Sequence, residues 1–72
     1  MRANIKIHFI NEESGKMVAM EYVWHVPRVG DEIRTGGEGN EQYHRVTRVI
    51  WVYDEEMLLN YDRVNVGVSK VI

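Results

Sequence analysis

Apolar residues recur at every second position from the start of the chain. Ala3, Ile5, Ile7 and Phe9 share one parity, and Asn4, Lys6 and His8 share the other. Such alternation predicts a strand, Ala3–Ile10, with one buried face. Asn11-Glu12-Glu13-Ser14-Gly15 is a polar turn closed by glycine, suited to a hairpin. Lys16–Val26 alternates again: Val18, Met20, Tyr22, Trp24 and Val26 form one face, while Met17, Ala19, Glu21, Val23 and His25 form a mixed one. The expectation is an antiparallel pair with the first strand. Pro27, the sole proline, ends that strand by removing a ladder donor.

Pro27-Arg28-Val29-Gly30-Asp31-Glu32-Ile33-Arg34 reads as a turn feeding a short strand, with Gly30 supplying a left-handed residue and Val29 and Ile33 as anchors. Thr35–Glu41 is a Gly-rich polar loop. Tyr43–Tyr53 follows, the longest β-branched and aromatic run, and its pattern is contradictory. Val46, Ile50 and Val52 fall on one parity; Tyr43, Val49, Trp51 and Tyr53 fall on the other. A half-exposed strand is apolar on one parity only. With no helix to cover a second face, the pattern predicts a bend or bulge near Thr47-Arg48 that lets Val46 and Val49 both reach the core. After Asp54-Glu55-Glu56 come a short strand at Met57–Asn60, a bulge or one-turn interruption at Asn60-Tyr61-Asp62, and a final strand, Arg63–Val71. In that strand Val64, Val66 and Val68 oppose Asn65, Gly67 and Ser69, and Gly67 marks a bulge or a barrel corner.

Nowhere does a helical period of apolar residues persist. Five or six short strands in meander order predict an all-β fold, a single small antiparallel SH3-like barrel over residues 1–72; an OB-like barrel is the alternative. Composition agrees: there are eleven Val and six Ile against two Leu and two Ala. A chain of 72 residues buries only about 60% of its unfolded surface, so its core is small. No cysteine is present, which excludes disulfides and thiolate zinc sites and fits a reducing, cytoplasmic setting. No signal-peptide pattern and no apolar run of membrane-span length is seen, so no membrane association is expected.

The net charge of −2 gives no bulk attraction to nucleic acid. One local exception stands out. A bulge near Thr47 would turn Arg45 and Arg48 outward, and Arg28, Arg34, His44, Arg45 and Arg48 would then form one face with Tyr43 as a stacking partner. Against this, the four arginines between residues 28 and 48 are matched by Asp31, Glu32, Glu38 and Glu41. The serines lie in no nucleophile motif, and Asp54-Glu55-Glu56 reads as a solvated hairpin tip. Gly36-Gly37-Glu38-Gly39 precedes a strand and carries acid, the wrong setting for a phosphate cradle. His8, His25 and His44 are scattered, so no metal is expected. Trp24, Trp51, Tyr22, Tyr53 and Phe9 are expected in the core.

Val26-Pro27-Arg28-Val29-Gly30-Asp31-Glu32-Ile33, followed by Tyr43-x-x-Val46-x-x-Val49-x-Trp51, resembles short phage- and prophage-type bacterial proteins. These carry a Pro-x-Val-Gly-Asp-x-Ile turn before a Tyr-x-x-Val-x-x-Val-x-Trp strand. The resemblance implies a small SH3-like domain in a bacterial or phage setting and carries no catalytic residue. The expected function is a non-enzymatic, cofactor-free module that binds a protein partner, with homodimerisation through an edge strand as one route. The alternatives are a nucleic-acid-binding barrel using the arginine face and a phage-type inhibitor of a host enzyme or defence complex.

Overall fold

The computed structural model describes residues 4–53 and 61–71. Five strands form one curled sheet, a half-barrel: β1 (Ile5–Asn11), β2 (Met17–Val23), β3 (Glu32–Thr35), β4 (Gln42–Tyr53) and β5 (Tyr61–Val71). The all-β fold expected from the alternation is the one formed, and no helix occurs among the described residues. The expected strand at Met57–Asn60, the acidic tip at Asp54-Glu55-Glu56 and residue Ala3 lie outside those residues.

The sheet order is β2-β1-β5-β4-β3. Three neighbouring pairs are antiparallel, but β1 and β5 run parallel, with Ile7 opposite Val64 and Phe9 opposite Val66. The sheet is thus mixed where a pure antiparallel meander was expected. The hairpin to β2 occupies one edge of β1, and only the other edge is left for β5. The connection between the parallel strands is not a helix but the whole β2–β4 excursion, which is why no short turn was legible there.

The first hairpin is set by Asn11. Its Oδ1 accepts from the Glu13 and Ser14 amides at 2.8 and 3.2 Å, and its carbonyl accepts from Gly15 N at 2.7 Å. The Pro27–Asp31 turn does more than reverse the chain. Gly30 sits at φ +98°, open to glycine and strained for other residues, and its amide donates to the Val46 carbonyl at 2.9 Å. Val46 N in turn donates to the Asp31 carbonyl at 2.8 Å. The turn is therefore stitched to β4 one residue before its register shifts. Val29, expected as an anchor beneath this turn, is exposed instead, because backbone bonds and Ile33 hold the turn in place.

The predicted bulge is present. Val46 opposes Val68 and Arg48 opposes Gly67, so Thr47 is the extra residue. A second shift leaves Asp62 unopposed between Val52–Arg63 and Tyr53–Tyr61, at the interruption expected there. With the Thr47 bulge, Val46 is buried and Val49 packs against the core. That core lies on the inner face of the curl: Ile7, Phe9, Val46, Val64, Val66 and Val68, joined by Ile5, Val18, Ala19, Val23, Val26, Ile33 and Val49. Each fully buried valine contributes about 1.5–3 kcal/mol relative to exposure.

The aromatic residues depart from expectation. Phe9 is in the core, but Tyr22, Trp24, Trp51 and Tyr53 are exposed. On β2, the parity opposite Ile5, Ile7 and Phe9 is Val23, Glu21 and Ala19, so Met20 and Tyr22 face outward. A bulge between the Phe9–Ala19 and Ile10–Met17 pairs brings Val18 inward as well. Trp24 follows the end of β2. Tyr53 lies where β4 and β5 run past the stretch paired with β1, whereas Trp51 opposes Val64 at the first position of that stretch.

Candidate functional site: the open seam between the sheet edges

The arginine face is only partly assembled. Arg34 opposes exposed Tyr43, and Arg45 is the next outward residue on β4. Arg45 Nη2 lies 3.0 Å from Glu32 Oε1, an exposed pair that halves the cationic character of the patch. Arg48 is outward too, as the bulge requires, but its Nε lies 3.4 Å from Glu12 Oε1. Arg28 is in the turn, its amide bonded to Asp31 Oδ2.

His44 corrects the expectation. It is 2% exposed, on the inner face, with Nε2 3.2 Å from Thr35 Oγ1 and Nδ1 without a hydrogen-bond partner among the described residues. It opposes Ile33 on β3, and the bulge at Thr47 is what gives His44 and Val46 the inner parity. The structure thus brings Arg34, Tyr43 and Arg45 together, leaves Arg28 and Arg48 apart, and removes His44 from the face.

A second feature surrounds Glu12. Its carboxylate lies over β5 at Gly67, within reach of Thr47 Oγ1 at 3.4 Å and of Arg48. The pocket beside it, about 70 Å³, has room for little more than a water or two. It ties the first turn to the β4 bulge.

A larger concavity lies at the edges of the sheet, where the sequence pointed to no site. β2 and β3 are the terminal strands and do not pair with each other, so the barrel stays open along a seam. A cavity of about 510 Å³ lies in that seam. Phe9, Ala19 and Val23 line one side, Ile33 and Thr35 the other, with Glu21 and Arg34 also at the lining. Unpaired edges present rows of amides and carbonyls to any extended chain.

The two edges are not alike. β3 has four residues, alternates Glu32 and Arg34 outward, and is followed directly by Gly36. β2 has seven, Met-Val-Ala-Met-Glu-Tyr-Val, with no proline, no lysine and one charge. Met17, Met20 and Tyr22 are exposed at 58, 44 and 55%. β3 carries the features that keep an edge from pairing; β2 carries few. The signal available in the sequence was the mixed parity of β2, where Glu21 stands among Ala19 and Val23.

Among the described residues, no group of three His, Cys, Asp or Glu side chains could hold a metal ion, and no helix is long and apolar enough to cross a membrane. No protein-family model, curated protein or solved structure matches the chain.

Proposed function

We propose that the protein is a non-enzymatic interaction module that takes an extended segment of a protein partner as an added strand along β2. The observation that carries this reading is the seam itself: a long, mostly apolar edge strand beside a largely apolar cavity. An added strand would gain main-chain hydrogen bonds from the edge and place alternate side chains in the cavity. The absence of cysteine supports a cytoplasmic setting. An inhibitor of a host enzyme would use the same surface, since blocking by strand addition needs no further chemistry.

Site-specific photo-cross-linking tests the reading. A benzophenone side chain at Met20, on the β2 edge, is expected to capture a protein partner in host extract, whereas one at Tyr43, on the arginine face, is not. Capture from Tyr43 alone would move the working surface to the arginine face and sink the proposal.

A further inference from the structure

We infer that the seam selects a basic extended segment, whose inward side chains are apolar except for one Lys or Arg set opposite Glu21. This rests on strand addition at β2 and adds the chemistry that chooses the strand. Beyond the bulge at Val18, β2 has five regular residues, Ala19–Val23. Of these, Ala19, Glu21 and Val23 oppose Phe9, Ile7 and Ile5 and so have inner parity. In an antiparallel addition, opposed residues share a face with Cβ atoms about 4.5–5.5 Å apart. An incoming strand therefore meets, on its inward side, a small apolar residue, a carboxylate and a second apolar residue.

Glu21 is the sole charge of inner parity on either seam strand; β3 offers Ile33 and Thr35 there, while Arg34, of the outer parity of Tyr43, lines the cavity from the β3 side without an ion pair to Glu21 among the described residues. Glu21 is in neither of the ion pairs formed among the described residues, Arg45–Glu32 and Arg48–Glu12. Open to water, that carboxylate costs nothing. Covered by an apolar strand it would be an unpaired buried charge, which is strongly unfavourable. A Lys or Arg facing it removes the penalty and supplies a charge-assisted hydrogen bond.

The same residue disfavours a second copy as the occupant. Pairing all five residues Ala19–Val23 with themselves in antiparallel register sets Glu21 directly against Glu21 of the other copy, and like charges directly opposite are destabilising. An inward charge on an edge strand is a known guard against self-pairing. Glu21 thus rejects the protein's own edge and accepts a basic one.

Two fluorescein-labelled probes test this by anisotropy: Thr-Val-Thr-Lys-Thr-Val-Thr and the same peptide with Glu at the centre. The Lys probe is expected to bind the wild-type protein about tenfold tighter than the Glu probe. Glu21→Lys should reverse the order, and high salt should shrink the difference. Glu21 is exposed, so both variants of the test keep the fold. In sedimentation, the wild type is expected to be monomeric, while Glu21→Val self-associates. Equal binding of both probes, or an order unchanged by Glu21→Lys, overturns charge selection and leaves strand addition standing. A wild-type dimer cross-linked through Met20 overturns the rejection of self. If neither probe binds and the Met20 cross-linker captures nothing, strand addition itself falls, and the inference with it.

Discussion

Glu12 reaches from the first turn to the outer face of β5, and it can do so because residue 67 is glycine. A methyl group there would stand 2.7 Å from the Glu12 carboxyl carbon. Since that carboxyl ends a flexible side chain, Gly67→Ala is expected to evict it rather than unfold the sheet. A double-mutant cycle measures the effect. Glu12→Ala should cost about 0.5 kcal/mol in the wild type, as exposed pairs do, and nothing in the Gly67→Ala background. His44 behaves differently because it is buried. Among the described residues its Nδ1 has no hydrogen-bond partner, and its Nε2 faces Thr35 Oγ1. Thr35→Val should therefore cost about 1–2 kcal/mol in urea unfolding, since it orphans the second ring nitrogen. Combining it with His44→Leu should recover most of that loss, because removing both polar partners is nearly neutral.

The β4 strand shows how one residue decides which side chains a sheet buries. Side chains alternate faces, so a shift of one exchanges every inward position for an outward one. Thr47 is the inserted residue, and it lets His44 and Val46 face inward before it while Val49 does so after it. Deleting Thr47 would turn Arg45 and Tyr43 toward the core in place of Val46 and His44. The expected result is loss of cooperative unfolding and of near-ultraviolet circular dichroism. Val46→Ala, which leaves the register intact, should cost about 2 kcal/mol and keep a sharp transition. The bulge was legible in the sequence because Val46 and Val49 conflict in parity. His44 was misassigned from the same conflict, since a bulge that frees two arginines also fixes which of their neighbours turns in. The bulge at Val18 gave no such warning, because both parities of β2 carry apolar residues.

As a whole molecule, the protein is a half-barrel with a small core and two unequal edges. Val64, Val66 and Val68 of β5 are fully buried at the centre of the sheet, between β1 and β4. The net charge of −2 is spread so that Arg45 and Arg48 meet acids, and only Arg34 and Arg45 flank Tyr43 on one patch. A labelled single-stranded oligonucleotide is accordingly expected to show no saturable anisotropy change at about 50 mM salt, the condition most favourable to phosphate contacts. Saturable binding that weakens steeply by about 200 mM salt would restore the nucleic-acid reading. The asymmetry of the sheet lies between its two edges, where β2 is long and mostly apolar and β3 is short and charged.

By itself, the sequence determined the strands, the turns and the Thr47 bulge. These are local properties: alternation of apolar residues, the Asn11 and Gly30 turn chemistry, and two valines that must both be buried. Tertiary structure alone decided the parallel β1–β5 pair, the inward face of β2, the burial of His44 and the open seam. Each of these depends on which edge of a strand is already taken when another arrives, and that is set by pairings far apart in the chain. Glu21 illustrates the division: in the sequence it is one acid on a mixed parity, and in the fold it is the charge of inner parity on the open β2 edge.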